Sequence, residues 1–296
     1  MSRLPDFMII GAMKCATSTL QVQLARQPGL FMSEPKEPNF FSDDEQYARG
    51  LDWYAGLFAG ADFSALCGEA STHYTKLPTY PHTVERMRRD LNGVKLIYVV
   101  RHPIERLISQ YVHEWTERTV PDSIDVAVRQ CPRLVDYSCY GMQLKPYLEA
   151  YGRDSVLPVF FERLAIEPQQ ELERICRFIG YSETPRWCPE FEHRNVSSQR
   201  LRKSGVRDAI VWNPVVTWLR RRFIRQSWRD RVKAVWQMQR RPQLRSDTEA
   251  YLRSVFDEDL AELGGWLGVQ LSCDNFNRVS SAGGLEFVEC AMGSRA

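Results

Sequence analysis

The pattern of apolar and polar positions along the chain predicts a layered α/β fold. Three short runs are almost uniformly apolar, as is typical of buried strands: Phe7 to Ile10, Lys95 to Val100 and Val156 to Phe161. Amphipathic segments with helical spacing run from Thr17 to Arg26, from Pro103 to about Glu117, from Glu167 to Ile179 and from Asp247 to Leu267. This alternation indicates one domain with a central parallel sheet flanked by helices, and ligands should bind at the carboxyl ends of its strands.

The balance of charged residues changes late in the sequence. Between residues 200 and 245 there are fourteen Lys or Arg residues and only two acidic residues, whereas the whole chain has a net charge of +2. The other residues therefore carry a net charge of about −10. We expect a domain over residues 1–273 with a basic, helical insertion at about 206–245. Residues 274–296 are small and polar enough to predict a loose C-terminal tail.

The insertion contains four tryptophans among clustered arginines, all within residues 212–236. Three uses remain open for this segment: it grips an anionic acceptor, makes a peripheral contact with an acidic membrane surface, or forms a solvated helix pair. Nucleic acid is not an expected partner, because these basic residues accompany no recognised nucleic-acid-binding fold.

The cysteines and the apolar segments indicate the cellular compartment in which the protein is expected. No run approaches the roughly 18 apolar residues needed to cross a bilayer, and no secretory signal is visible. The eight cysteines form neither a CxxC pair nor a zinc-like cluster. We therefore expect reduced thiols, a cytoplasmic location and no metal. A disulfide between Cys131 and Cys139 is the alternative.

The segment FMIIGAMKCATSTL combines a strand, a loop of small residues and the start of a helix. The first N–H groups of a helix have no partner within the helix, and its dipole favours an anion there. Lys14 adds a full positive charge, so the segment is suited to a phosphate. The order GxxxxGK[ST] is absent, so it is not a Walker A loop. An ordinary strand-to-helix turn with Thr17 as the N-cap is the alternative.

Two segments together resemble the donor-binding motifs of PAPS-dependent sulfotransferases. GAMKCATSTL resembles their 5′-phosphosulfate loop, and KLIYVVRHPIERLISQY, with Arg101 and Ser109, resembles their 3′-phosphate motif. SEPKEPNFF, LDWYAGLF and GEASTHY are similar to the branch that contains heparan sulfate sulfotransferases and bacterial relatives. The resemblance extends from about Phe7 to Gly180 and implies a P-loop-like nucleotide-binding domain.

The resemblance implies a role for each residue that matches a motif. Lys14, Thr17, Ser18 and Thr19 would hold the 5′-phosphosulfate of PAPS, while Cys15 and Ala16 are small enough to let the backbone approach it. Arg101 and Ser109 would bind the 3′-phosphate, which remains on the product PAP. Arg200 and Lys203 would close over the donor from a late basic loop. Tyr140 and Gln143 resemble a segment near the nucleotide, and we expect them in the core.

Glu37 is the expected general base, because it falls in the KE-x-x-FF pattern where the resembled branch has its catalytic glutamate. A surface ion pair between Glu37 and Lys36 is the alternative, and His73 is the reserve base. The sequence departs from its relatives at three positions: Ala16 often corresponds to Gly, Asn39 to His and Ala70 to Lys. Glu69 and Ser71 either line the donor cleft or pair locally.

These residues imply in-line transfer of a sulfuryl group from PAPS to a hydroxyl, without a covalent enzyme intermediate. The acceptor is a carbohydrate, a lipid or a small natural product. A P-loop-type nucleotide kinase and a catalytically inactive nucleotide-binding protein are the two alternatives. A kinase would need a magnesium-holding Ser or Thr directly after its lysine, where this chain has Cys15.

Overall fold

A five-stranded parallel sheet forms the centre of the chain. The computed structural model describes residues 3–191 and 241–288. Its strands are β1 (Phe7–Gly11), β2 (Leu30–Met32), β3 (Leu66–Ala70), β4 (Lys95–Val100) and β5 (Val156–Phe160), in the spatial order β2-β3-β1-β4-β5. All four neighbouring pairs are parallel. Every residue of β1 and β5 is buried, as uniformly apolar strands require when helices cover both faces of a sheet.

Helices connect and cover the strands. The described α-helices are α1 (Thr17–Ala25), α2 (Asp44–Tyr47), α3 (Leu51–Gly56), α4 (Thr83–Asp90), α5 (Pro103–Glu117), α6 (Ile124–Gln130), α7 (Arg133–Asp136), α8 (Tyr140–Tyr151), α9 (Phe161–Ile166), α10 (Pro168–Phe178), α11 (Ser246–Trp266) and α12 (Phe276–Ala282). Short 3₁₀ helices occupy Thr72–Thr75, Arg153–Ser155 and Pro189–Phe191. No helix in the two described ranges is both long and apolar enough to cross a membrane.

The register of the sheet determines which loops meet. In β1, Phe7 is opposite both Gly68 of β3 and Lys95 of β4. Just beyond β1, the Ala12 N–H donates a hydrogen bond to the Val99 carbonyl oxygen at 2.7 Å. Because the strands are parallel, the segments that follow β1, β3 and β4 all leave the same edge of the sheet. The GAMKCATSTL loop, the GEASTHY segment and Arg101 are therefore neighbours.

The predicted fold class, with its single parallel sheet flanked by helices, is confirmed. The three predicted strands and four predicted helices are present, with ends that differ by one residue. The strands β2 and β3 were missed, because β2 has three residues and β3 contains Gly68 and Glu69 within its apolar run. The seven described cysteines are free thiols, Cys131 and Cys139 among them.

The end of the described chain is more ordered than the sequence predicts. A loose tail from residue 274 is wrong for Phe276–Ala282, which form α12. Phe276 is buried because its ring packs against the rings of His102 and Phe160, with centroids 5.6 and 5.8 Å away. The predicted insertion lies largely outside the described residues, and its last five residues, 241–245, are not helical.

Substitution of Gly11, at the end of β1, tests this packing. Its φ of +152° is rarely adopted by L side chains, and an added Cβ would lie 1.9 Å from Thr75 Oγ1. We expect Gly11→Ala to lower the free energy of unfolding by about 2 kcal/mol or more. Gly56→Ala is the control, because a Cβ there meets no atom within 4 Å. Equal midpoints for the two variants in urea would contradict this account.

Candidate active site

The loop between β1 and α1 has the geometry of an anion-binding turn. Lys14 and Ala16 have left-handed backbone conformations, with φ of 72° and 63°. Ala16, not Thr17, is the N-cap of α1, and it has no side-chain oxygen to cap the helix. Alternating backbone conformations that turn successive N–H groups inward create a concave site for an anion, and the start of a helix adds its dipole. Thr17 and Thr19 are buried at this helix start, and Ser18 is partly exposed.

Cys15 contributes to this loop through its backbone rather than its side chain. The thiol is fully buried and points inward, and its sulfur lies 3.9 Å from the Tyr140 hydroxyl oxygen. Burial raises the pKa of Cys15 to about 12, so the thiol stays protonated at neutral pH. A buried thiol in this position cannot replace the magnesium-holding hydroxyl of a kinase loop.

Tyr140 joins the two predicted phosphate-binding segments. Its hydroxyl donates a hydrogen bond to the Arg101 carbonyl oxygen at 2.6 Å and accepts one from the Arg101 N–H at 3.3 Å. The hydroxyl also contacts Cys15 of the anion-binding turn. Gln143, one turn further along α8, is hydrogen-bonded to both the N–H and the carbonyl oxygen of Leu77, at 2.7 and 2.8 Å. Both residues are buried, as predicted, and their hydrogen bonds connect α8 to the loops around the cleft.

Arg101 lies at the carboxyl end of β4 with its side chain mostly covered. One guanidinium nitrogen is 3.4 Å from a Glu105 carboxylate oxygen, and the guanidinium carbon is 4.8 Å from the centre of the Phe161 ring. Arg101 therefore forms an ion pair with Glu105, and Glu105 also binds Arg241. Ser109 lies about two turns along α5 from Arg101 and is 9% exposed. The predicted donor residues Arg200 and Lys203 lie outside the described residues.

Glu37 lies on the opposite side of the anion-binding turn from Arg101. Its φ is 56°, and its N–H donates to the Ala70 carbonyl oxygen at 3.1 Å, which fixes the loop after β2 against the end of β3. The Lys36 ammonium donates to Ser18 Oγ at 2.6 Å and to Glu37 Oε1 at 3.0 Å. The ion pair between Lys36 and Glu37 thus exists, but it also links the carboxylate to the anion-binding turn. A strained glutamate beside such a turn is typical of a functional residue.

The residues after β3 complete this side of the cleft. Thr72 Oγ1 donates a long hydrogen bond of 3.4 Å to Glu37 Oε2, and Ser71 Oγ accepts one of 3.1 Å from the Asn39 N–H. Asn39 has φ of 52°, a conformation that asparagine tolerates better than most residues. His73 stacks on the Tyr80 ring, with centroids 4.8 Å apart. Burial lowers the pKa of His73 to about 4, so the imidazole is neutral and only weakly basic.

Glu69 is not a lining residue of the cleft. It is fully buried on β3, and its carboxylate oxygens have no hydrogen-bond partner with good geometry among the described residues. The hydroxyls of Tyr54 and Tyr74 are its neighbours. Burial raises the pKa of Glu69 to about 8, so this carboxyl is mostly protonated at neutral pH. Glu69 therefore neither lines the cleft nor forms a well-aligned local pair among the described residues.

Sequence reasoning missed two buried cations near the cleft, Arg106 and Lys76. Arg106 donates to Ser138 Oγ at 2.6 Å, while one of its terminal nitrogens has no partner among the described residues. An arginine directly before Leu107 and Ile108 in the predicted helix α5 was a usable signal, because buried arginines are rare. Lys76 gave no comparable signal, since it follows a turn without helical or strand periodicity.

The fold and the site together define an α/β protein with a turn suited to an anion at the carboxyl edge of its sheet. The sulfotransferase domain family matches residues 4–209, which is more than half of the chain. The chain therefore belongs to the sulfotransferase family, as its motifs predict.

Comparison with individual proteins gives the same family. The chain is 31% identical over 187 residues to heparan sulfate glucosamine 3-O-sulfotransferase 3B1 of Mus musculus, a match that covers 60% of this chain and 46% of that protein. It is 35% identical over 120 residues to the membrane-associated sulfotransferase kil1 of Dictyostelium discoideum, which covers 39% of this chain and 24% of that protein. The matches thus span about half or less of these relatives.

A solved structure supports the fold. A sulfotransferase from Alicyclobacillus acidocaldarius superimposes with a TM-score of 0.62 at 24% identity, and the match covers 91% of this chain and 98% of that one. At this identity the likeness extends to the architecture alone, so it assigns no substrate.

The buried Glu69 carboxyl makes folding stability depend on pH. Below about pH 4.5 this group is protonated in both the folded and the unfolded chain. As the pH rises from there to about 8, the unfolded chain ionises first, so the wild type loses stability; above about pH 8 the loss is complete. In Glu69→Gln this side chain has no ionisable group, so it adds no pH dependence to the stability.

We therefore expect the difference in stability between Glu69→Gln and the wild type to move in favour of the variant as the pH rises from 5 to 8.5. The gain should be up to a few kcal/mol, at about 1.4 kcal/mol for each unit of pKa shift. Urea unfolding of both proteins at the two pH values measures it. The same stability difference at both values would show that Glu69 ionises normally.

Proposed function

We propose that this chain transfers a sulfuryl group from PAPS to the hydroxyl group of an acceptor. The observation that supports this most strongly is the Tyr140 hydroxyl, which contacts both the anion-binding turn and the backbone of Arg101. A doubly phosphorylated adenosine needs two separated anion sites in one cleft. Lys14 with Thr17, Ser18 and Thr19 would hold its 5′-phosphosulfate, and Arg101 with Ser109 its 3′-phosphate.

The proposed step is a direct in-line displacement at sulfur. The acceptor oxygen forms a bond to sulfur while the bond from sulfur to the bridging oxygen of PAPS breaks, and PAP leaves with the negative charge. Lys14 and the N–H groups at the start of α1 would lie where this charge develops, and they would stabilise the transition state more than the ground state. The proposed step uses neither a metal nor a covalent enzyme intermediate.

Glu37 would take the proton of the acceptor hydroxyl as this bond forms. Its position supports the role, because the Lys36 ammonium joins its carboxylate to Ser18 in the turn that would hold the reacting group. A positioned carboxylate that accepts a proton in the transition state speeds such a reaction by about 10²–10⁴-fold. His73 is a poorer candidate, because its pKa of about 4 makes it a weak base.

Two alternatives to sulfuryl transfer are weaker. A phosphoryl-transferring kinase needs a hydroxyl on the residue after Lys14, and the structure has the buried thiol of Cys15 there. An inactive nucleotide-binding protein would need no base, yet Glu37 has a strained backbone, and the Lys36 ammonium links its carboxylate to Ser18. The acceptor class, the membrane contact through residues 212–236 and the cytoplasmic location stay predictions, and the segment lies outside the described residues.

The role of Glu37 is tested by Glu37→Gln, which keeps the size of the side chain and removes the base. Transfer of labelled sulfate from PAPS to a mixed panel of hydroxyl acceptors should fall by at least about 100-fold. The affinity for PAP, measured by calorimetry, should be unchanged. Glu34→Gln is the control, because Glu34 is an exposed residue of the same loop. Full turnover by Glu37→Gln would remove Glu37 from the mechanism.

The role of Arg101 is tested by Arg101→Met, which keeps much of the apolar stem. Its affinity for PAP should fall by about 10- to 100-fold, whereas its affinity for 5′-AMP, which lacks the 3′-phosphate, should change little. Arg129→Met is a matched control, since Arg129 is likewise paired with an acid, Asp247, on another surface. Equal losses for PAP and 5′-AMP would mean that Arg101 does not contact the 3′-phosphate.

A further inference from the structure

Helix α8, which carries Tyr140, begins without a cap from its own segment. Its first residue is Tyr140, and its N-cap, Cys139, makes no side-chain hydrogen bond to the start of the helix. The first N–H groups of an α-helix have no partner within the helix, and leaving them without one destabilises the fold. The start of α8 therefore needs an acceptor from another part of the chain.

Asp259 of α11 is this acceptor. The Gly141 N–H donates to Asp259 Oδ2 and the Met142 N–H donates to Oδ1, each at 2.8 Å. Burial raises the pKa of Asp259 to about 6, so the carboxyl is mostly ionised at pH 7 and both of its oxygens can accept. The helix dipole also favours an anion at this position. One carboxylate from α11 thus holds the first turn of α8.

The two helices approach closely at this contact because Gly141 has no side chain. A Cβ at Gly141 would lie 3.0 Å from the Asp259 carbonyl oxygen and 3.1 Å from Oδ1. These distances are shorter than ordinary van der Waals contacts, so a side chain at this position would push the carboxylate or α11 away. The glycine and the aspartate therefore fit each other at one point of the interface.

The orientation of the first turn of α8 determines where the Tyr140 hydroxyl lies. This hydroxyl donates to the Arg101 carbonyl oxygen and contacts Cys15 in the anion-binding turn. It stands at the far end of a long side chain, so a small tilt of the first turn displaces it by a larger distance. A misplacement of about 1 Å can cost about 100-fold in rate. Asp259 fixes this turn at the two residues directly after Tyr140.

Asp259 lies far along the chain from the segments that carry the donor motifs. The match to the sulfotransferase domain family ends at residue 209, whereas α11 spans Ser246–Trp266. The other fixed point near the start of α8 is Gln143, which pairs with Leu77 in the segment after β3. Helix α11 therefore adds to the cleft a contact that the motifs do not contain.

We propose that Asp259 is a positioning residue for the donor: by capping α8, it holds the Tyr140 hydroxyl between the anion-binding turn and Arg101. This inference rests on the proposed function and gives α11 a part in donor binding. Both carboxylate oxygens of Asp259 are bonded to the backbone of α8, so Asp259 acts through Tyr140 and not by contact with the nucleotide.

Asp259→Asn tests the cap with little change in size. An amide has a single oxygen, so one of the two backbone N–H groups loses its acceptor. The affinity for PAP, measured by calorimetry, should fall by about tenfold or more. Asp6→Asn is the matched control, because Asp6 likewise accepts a backbone N–H, that of Cys67 at 2.7 Å, before the start of β1. It should keep the wild-type affinity.

A double-mutant cycle with Tyr140→Phe distinguishes positioning from a general loss of stability. Tyr140→Phe removes the hydroxyl and should itself lower the affinity for PAP by about tenfold. Adding Asp259→Asn to Tyr140→Phe should then lower it by less than about threefold more, since residues that act as a unit are not additive. All affinities are measured at a temperature at which melting curves show each variant to be folded.

Hydrogen exchange in the wild type keeps the proposal falsifiable should Asp259→Asn not fold. By the reciprocity of linked equilibria, a cap that favours PAP binding is itself favoured by bound PAP. Saturation with PAP should slow exchange of the Gly141 and Met142 amides by about threefold or more beyond the change at the Cys67 amide, which is bonded to Asp6.

Four results would overturn the proposal. These are wild-type affinity for PAP in Asp259→Asn, an equal loss of affinity in Asp6→Asn, losses that multiply in the double variant, and equal changes in exchange at the three amides. Wild-type protein that does not bind PAP would instead refute the proposed function, and the positioning role of Asp259 with it.

Discussion

The cleft depends on the buried hydroxyl of Tyr140. Through it, α8 holds the backbone of Arg101 at the end of β4 and touches Cys15 in the turn that follows β1. β1 and β4 are adjacent and parallel, so their following loops are already close, but a strand pairing alone does not orient them. A hydroxyl shared between the two segments fixes their relative position, and it satisfies backbone groups that would otherwise be buried without partners.

The same region carries strain and charge that folding alone would not favour. Lys14, Ala16, Glu37 and Asn39 all have positive φ values, which cost most residues about 1 kcal/mol or more each. Arg106, Lys76 and Glu69 are buried, and one Arg106 nitrogen and both Glu69 carboxylate oxygens have no hydrogen-bond partner in the described part of the chain. Such features persist where function requires them, because they preorganise donors and charges for a ligand. Their concentration around one edge of the sheet makes that edge the candidate active region.

Much of the fold could be predicted from the sequence, because apolar strands and amphipathic helices have clear periodicities. The three strands predicted from their apolar runs are present, whereas β3 was missed because it places Gly68 and the buried Glu69 in its middle. The helix α12 was missed because a segment of seven residues depends on one buried apolar side chain, that of Phe276. Short elements are stabilised by distant contacts, which local patterns do not contain.

The candidate site was predictable where a motif is continuous in sequence, as in the turn around Lys14 and the segment around Arg101. Contacts between distant segments were not. Tyr140 contacts residues 125 and 39 positions away, and its motif predicted a core residue near the nucleotide but neither of these contacts. The burial of Lys76 was not predicted, since burial of a single charged side chain depends on what packs over it.

One cleft that binds both phosphate groups of a single nucleotide is the central claim. Calorimetric titration of the wild-type protein with PAP, 5′-AMP and 3′-AMP tests it most directly, because the two monophosphates each engage one site only. The account predicts that PAP binds at least about tenfold more tightly than either monophosphate. An affinity for PAP no higher than that for 5′-AMP would contradict it.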